Sequence, residues 1–157
     1  MNAQETKNEI DALGRQLAHQ MYGHNYVPSF GVIKIAQAQS LDDVQKEIKK
    51  QYEETKPGNA SYEIIGSDAM LKQIQDCLDF RGDQGAGLEL TSEQEISLKE
   101  AQQDFVSKIR DFLSDSSVIY STNIEEGLPL YYTFWHFAFV ILNPKDESLF
   151  LFGAASD

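Results

Sequence analysis

The sequence predicts an α+β domain in which helices pack on a mostly antiparallel sheet. Helical spacing of apolar residues recurs through the first two thirds of the chain, and β-branched and aromatic runs dominate the last third. Turn-forming residues separate the final two of these runs, which indicates a C-terminal β-hairpin. A chain of 157 residues is long enough for one well-packed core, so we expect a single globular domain over residues 1–157.

The N-terminal third predicts a helix, a short strand and a second helix. The first helix runs from about Ala3 to Met21, and its apolar face consists of Ile10, Leu13, Leu17 and Met21. A break around Pro28 follows, after which the β-branched run 31–35 predicts a strand. Ser40 with Asp43 three residues later resembles a capping box, so a second helix is expected over residues 41–54.

The middle of the chain predicts a strand at 61–65 and two further helices. Ser67 can cap the third helix, whose apolar face holds Met70, Leu71, Ile74, Cys77 and Leu78. Residues 81–87 include three glycines and predict an exposed, flexible loop. Thr91 with Gln94, or Ser92 with Glu95, opens the fourth and longest helix, which can run to about Leu113. Its apolar stripe is Leu98, Ala101, Phe105, Ile109 and Phe112.

The last third predicts strands at 118–120, 130–142 and 149–152. Both faces of the segment 134–141 are apolar, which is typical of a strand in the middle of a covered sheet. The run 143–147 supplies turn residues, so the last two strands should form an antiparallel hairpin.

The charge is distributed unevenly along the chain. Residues 1–57 hold eight acids and seven bases, and residues 58–157 hold seventeen acids and six bases, which gives −1 and −11 and the total of −12. Such an excess favours a basic partner and disfavours nucleic acid and anionic membranes. No secretory signal or membrane-spanning run is evident, and a single cysteine suits a reducing compartment, so we expect a cytoplasmic protein.

Four acids of the fourth helix, Glu93, Glu100, Asp104 and Asp111, form what we call the acidic row. At about 100° per residue they fall within about 20° of one line, over a length of about 27 Å. The acidic row is a candidate binding surface for a basic protein. The alternative is a solvated face that is acidic for solubility.

A binding surface of this kind also needs apolar or aromatic anchors, because rim charges change the association rate more than the affinity. Tyr120, Tyr131 and Tyr132 are the candidates, since tyrosine is tolerated both at surfaces and at interfaces. The alternative is that they are half-buried strand residues.

Catalytic, metal and cofactor sites are not predicted. Cys77 lies on an apolar helix face, where a buried thiol is unreactive, and His136 sits among aromatic residues as a core histidine would. His19 and His24 are five residues apart, which a single helix face cannot bring to one ion. The glycines of 81–87 do not match a phosphate-binding pattern. We therefore expect a protein that is not an enzyme and carries no cofactor.

A small, acidic α+β domain with a C-terminal aromatic hairpin that ends in Leu149-Phe150-Leu151-Phe152-Gly153 resembles bacterial toxin immunity proteins, in particular those of contact-dependent growth inhibition. The resemblance implies that the chain binds and neutralises a cognate toxin, often a basic nuclease domain. No residue role can be carried over from it, because the matching segment, 134–157, contains no diagnostic motif.

Two other functions remain open. A small-molecule-binding domain or enzyme would place a pocket between the aromatic sheet and the helices, with His136 and Tyr132 as polar groups. An adaptor or oligomerisation domain would use an exposed edge within residues 128–132.

Overall fold

The computed structural model of the chain describes residues 3–35, 38–52, 61–83, 85–122, 132–144 and 146–157. Its helices are α1 (Ala3–Gln20), α2 (Leu41–Gln51), α3 (Ser67–Asp79) and α4 (Ser92–Phe112). Its strands are β1 (Val27–Ile35), β2 (Tyr62–Ile65), β3 (Val118–Thr122), β4 (Trp135–Leu142) and β5 (Ser148–Ser156). In these described ranges, no helix is long and apolar enough to cross a lipid bilayer.

The five strands form one antiparallel sheet in the order β1-β5-β4-β3-β2. The α+β class and the C-terminal hairpin are therefore confirmed. In the hairpin, Trp135 pairs with Ala155 and Ile141 with Leu149. Strand β4 lies in the centre, as its two apolar faces predict, since water reaches neither face of a covered central strand.

The sheet separates two apolar clusters. Helices α1, α3 and α4 cover one face, where Trp135, Phe137 and Phe139 of β4 are buried. Helix α2 packs on the opposite face, where Ala138, Val140 and Leu142 are buried. We call these the three-helix face and the α2 face. The alternation of β4 side chains follows from the period of two residues in a strand.

Several boundaries differ from the sequence predictions, and β5, for example, reaches Ser156 rather than residue 152. Strand β1 begins at Val27 and includes Pro28, which is tolerated because β1 is an edge strand and needs hydrogen bonds on one side only. Helix α2 ends at Gln51 rather than at residue 54. Strand β4 begins at Trp135 rather than at residue 130, because the N–H groups of Thr133 and Phe134 both donate to Ala155 O, at 3.0 and 3.1 Å.

The helix caps also differ in part. The Thr91–Gln94 capping box of α4 is present in both directions, with N–H···O distances of 2.8 and 3.2 Å. Ser40 caps α2, but the Asp43 carboxylate accepts from the N–H of Gln39 at 3.0 Å. That hydrogen bond is the main reason why the pKa of Asp43 lies below its ordinary value. The N-cap of α3 is Gly66, whereas Ser67 is its first helical residue.

The loop at 81–87 is exposed at Asp83, Gly85 and Gly87, as predicted, but it buries Ala86 and is joined to the segment that follows α1 by hydrogen bonds. Asn25 donates from its backbone N–H to Ala86 O at 3.0 Å and from Nδ2 to Gly85 O at 2.9 Å. Gly23 lies so close that a Cβ there would stand 2.2 Å from Ala86 O. The glycines therefore allow two backbone segments to approach each other closely.

A hydrogen-bonded chain crosses the core beside this loop. Trp135 Nε1 donates to the hydroxyl of Tyr26 at 2.8 Å, and that hydroxyl donates to Phe80 O at 2.9 Å. Burial raises the pKa of Tyr26, so the phenol stays protonated and can donate. These two hydrogen bonds link the C-terminal end of α3 to β4 and so help to set the position of the helices on their face of the sheet.

The centre of the sheet contains a glycine covered by aromatic rings. A Cβ at Gly153 would lie 2.6 and 2.7 Å from two ring carbons of Phe137, and 3.0 Å from a ring carbon of Phe30. Phe137 is buried on the three-helix face, together with its neighbours in the sheet. The missing side chain at Gly153 thus provides the space that these rings fill.

Candidate protein-binding surface

The acidic row lies on the outer surface of α4. All four of its side chains, Glu93, Glu100, Asp104 and Asp111, are exposed. The opposite side of the helix buries Leu98, Ala101, Phe105 and Ile109 against the three-helix face. The helical spacing predicted from the sequence is therefore correct, and the row is available to a partner.

Helix α1 runs along one side of the acidic row. Gln20 Nε2 of α1 donates to Ser97 Oγ of α4 at 3.0 Å, and Lys108 Nζ of α4 lies 2.9 Å from Glu9 Oε2 of α1. The hydrogen bond and charge of Glu9 raise the pKa of Lys108, with further contributions from Asp111 and Asp104. Lys108 is thus surrounded by acids and compensates only part of the negative charge along the contact between α1 and α4, which we call the seam.

The three helices on one face carry the whole net charge of the helices. Helices α1, α3 and α4 together contain eleven Asp and Glu and six Lys and Arg residues, a net charge of −5. Helix α2 on the opposite face contains three of each, a net charge of zero. Among the helices, the excess acid therefore lies on the three-helix face, which includes the acidic row, and not on α2.

The predicted tyrosine anchors do not lie beside the acidic row. Tyr120 and Tyr132 are half-buried and pack against the cluster on the α2 face. The sheet therefore separates them from α4, and they cannot take part in one continuous surface with the row. The sequence could not show this, because a strand residue can point to either face until the register is known. Tyr131 and the segment 128–131 lie outside the described residues.

Two exposed apolar side chains that were not among the predicted anchors lie near the acidic row. Ile96 is 60% exposed and sits on α4 three residues after Glu93 and four before Glu100, so it borders both acids. Tyr22 is 57% exposed and follows the end of α1. The departure of Ile96 from the apolar stripe of α4 was the signal available in the sequence, since it falls outside the buried arc.

A cleft of about 370 Å³ lies where the C-terminal end of α1 meets the N-terminal end of α4. His19, Gln20 and Tyr22 form its α1 wall, and Gln94 and Ser97 form its α4 wall. Residues 87–90 close the third side and contribute the carboxylate of Glu89. No Lys or Arg is among the described residues that line it. We call this space the seam cleft.

A larger cleft of about 630 Å³ lies at the other end of α4. It is bounded by residues 64–68 and by Leu113, Ser117 and Val118. Two acids, Asp68 and Asp115, and one base, Arg110, line it. Its charge is therefore mixed, with an arginine in the lining, whereas the described lining of the seam cleft has neither lysine nor arginine.

The predicted pocket at His136 and Tyr132 is not formed between the sheet and the three helices. That space is occupied by Trp135, Phe137 and Phe139, which are buried. His136 and Tyr132 are instead in ring contact with each other, with centroids 4.0 Å apart. In the part of the chain that the structure describes, no group of three or more His, Cys, Asp or Glu side chains could hold a metal ion.

Cys77 is buried within the three-helix cluster, which raises the pKa of its thiol to about 11, with a further contribution from the charge of Asp76. His136 lies on the other face of the sheet and cannot serve as its base. At neutral pH the thiol is therefore protonated and unreactive as a nucleophile.

This burial predicts a pH dependence of stability. The thiol ionises near pH 9.0 in the unfolded chain but only at about 11 in the folded chain. Its contribution to stability should be complete below pH 9 and should be lost as the pH rises through 11. We expect Cys77→Ala to remove part of this loss of stability at alkaline pH, measured by urea denaturation at a series of pH values. Tyr26, whose pKa is also raised by burial, is present in both proteins and contributes equally to both profiles. Parallel pH profiles for the two proteins would contradict the assignment.

Comparison with known proteins adds information on the fold. No family model matches the sequence, and no curated protein matches it. Among solved structures, the crystal structure of citrus MAF1 is similar, with a TM-score of 0.56 and 10% sequence identity. The match covers 94% of this chain and 98% of the MAF1 chain. The chain described here therefore shares the α+β fold of citrus MAF1 over nearly its full length.

Proposed function

We propose that this chain is an immunity-type inhibitor that binds a basic protein, such as the nuclease domain of a toxin, through the acidic row and its surroundings on α4. The observation that carries the proposal is the exposure of Glu93, Glu100, Asp104 and Asp111 along one line of α4. A row of like charges raises the rate at which an oppositely charged surface arrives and orients it before contact.

The apolar residues on the same side support this function. Ile96 lies beside the acidic row and Tyr22 lines the seam cleft, so a partner that is steered by charge would meet exposed apolar groups there. Binding energy at protein interfaces is concentrated in a few buried aromatic, aliphatic and arginine contacts, and charged rims contribute mainly to rate and specificity. A solvated face kept acidic for solubility needs neither residue.

The test is a pull-down from a lysate of the source cell with the purified chain as bait, at about 50 mM and about 500 mM salt. An acidic-row variant, Glu93→Gln with Glu100→Gln, Asp104→Asn and Asp111→Asn, is compared with a control of equal charge. The control neutralises four exposed acids elsewhere, Asp42, Glu63, Asp83 and Asp157.

The expected result is one basic protein that the native bait and the control retain at low salt and that the acidic-row variant loses. If that protein is a nuclease, the native chain should also block its cleavage of plasmid DNA at equimolar concentration. Equal retention by both variants would show that the acidic row is not the interface. A captured protein whose activity the chain leaves unchanged would contradict the inhibitor function.

A further inference from the structure

We propose that the seam cleft is the pocket for an arginine side chain of the basic partner. This inference rests on the proposed function and specifies the group that the surface recognises. The cleft lies at the end of the acidic row that contains Glu93, because Gln94 and Ser97 of α4 form one of its walls. A partner that follows the row toward the N-terminus of α4 therefore reaches this cleft.

The charge of the lining selects a cation. Glu89 is exposed at the cleft, and no Lys or Arg is among the described residues of its walls. Arg81, eight residues before Glu89, donates to Leu78 O at 2.5 Å and lies 3.9 Å from a carboxylate oxygen of Glu95, and it does not line the cleft. An incoming guanidinium would meet the Glu89 carboxylate with no lysine or arginine of the lining to compete, and His19 is the one basic side chain among the described residues of the walls.

Gln20, which lines the cleft, also has a buried acceptor without a donor in the described part of the chain. The side-chain amide of Gln20 donates to Ser97 Oγ, which leaves Gln20 Oε1 as an acceptor. This oxygen is buried and has no hydrogen-bond partner among the described residues. A buried acceptor in this state costs free energy, and a ligand N–H that reaches it after a small side-chain rotation would recover that cost.

The third element is the ring of Tyr22, which is more than half exposed at the cleft. An arginine side chain suits this combination better than a lysine, because the planar guanidinium can stack on an aromatic ring and still present several N–H donors in its plane. A lysine ammonium is a compact, strongly hydrated charge and cannot do both.

The experiment is an NMR titration of the isotope-labelled full chain with N-acetyl-arginine methylamide, up to about 50 mM. The expected result is a dissociation constant of about 1–10 mM, with shifts at the side-chain amide of Gln20 and at Tyr22, Gln94 and Ser97. N-acetyl-citrulline methylamide has the same shape without the charge and should produce no saturable shifts. The lysine analogue should bind several times more weakly.

Two substitutions assign the contacts. Tyr22→Ala and Glu89→Gln should each weaken arginine binding by about two- to fivefold, whereas Glu63→Gln on β2 should leave it unchanged. The pocket would be overturned if the arginine probe caused no shifts at about 50 mM, or if the shifts occurred at residues outside the cleft. It would also be overturned if the citrulline probe produced the same shifts. An amide spectrum that keeps its dispersion shows that each variant is folded.

The outcomes separate this inference from the proposed function. If a basic protein is captured through the acidic row but the arginine probe does not bind in the seam cleft, the pocket is wrong and the proposed function stands. If the probe binds in the cleft but the acidic-row variant captures proteins as well as the native chain does, the proposed function is wrong and the pocket stands.

Discussion

Replacing Gly153 by alanine should lower the free energy of unfolding by about 1–3 kcal/mol, because the new methyl group would lie 2.6 Å from the ring of Phe137. Phe137→Ala should cost about 3–5 kcal/mol, since this ring is 1% exposed and leaves a cavity when it is removed. The double variant should cost less than the sum of the two, because the alanine methyl group then occupies space that the phenyl ring has vacated. Urea denaturation of the four proteins measures the coupling.

The control for this cycle is Gly66→Ala, since a Cβ at Gly66 would meet nothing within 4 Å. Its effect, which includes a change of the N-cap of α3, should be additive with that of Phe137→Ala. If Gly153→Ala is also additive with Phe137→Ala, then Phe30 alone or a backbone effect limits the space at residue 153.

Reversing Glu100 and Asp104 to lysine should slow association with the captured basic partner by about 10- to 100-fold at low salt. These two residues lie in the middle of the acidic row, four positions apart, so the double reversal changes the local charge by four. The association rate of the variant should also depend less on salt than that of the native chain, because steering is screened within about 10 Å at 0.1 M ionic strength.

The measurement is stopped-flow association at several salt concentrations. As the control, Asp42 on α2 and Glu63 on β2, which are both exposed and lie outside α1, α3 and α4, are reversed to lysine. This control changes the net charge equally but should change the rate much less. Equal slowing by both pairs would mean that net charge, rather than the acidic row, sets the rate.

Much of the fold could be predicted because its signals are local. The faces of α3 and α4, the capping box at Thr91 and the C-terminal hairpin all follow from spacings of a few residues. The extension of β1 through Pro28 could not be predicted from the sequence. A proline is tolerated in this strand because β1 lies at the edge of the sheet, and that position is known only from the structure. Strand order depends on contacts between distant segments, which no local pattern encodes.

The candidate site divides in the same way. The acidic row was predictable because one helix carries all four residues. The error at Tyr120 and Tyr132 arose because their position relative to α4 depends on which face of the sheet they occupy. Tyr22 and the seam cleft required the packing of α1 on α4 and of residues 87–90 on both, which the sequence does not show.

The position of β5 has a consequence for biosynthesis. This strand lies between β1 and β4, and Ile35 of β1 pairs with Ser148 of β5. While the chain emerges from the ribosome, β1 meets β5, its neighbour in the described sheet, only after α1, α2, α3 and α4 have been made. Partly synthesised chains would expose the unpaired backbone N–H and C=O groups of β1. We therefore expect productive folding to follow release of β5 from the exit tunnel and to be slow, as the folding of sheets with distant pairings is.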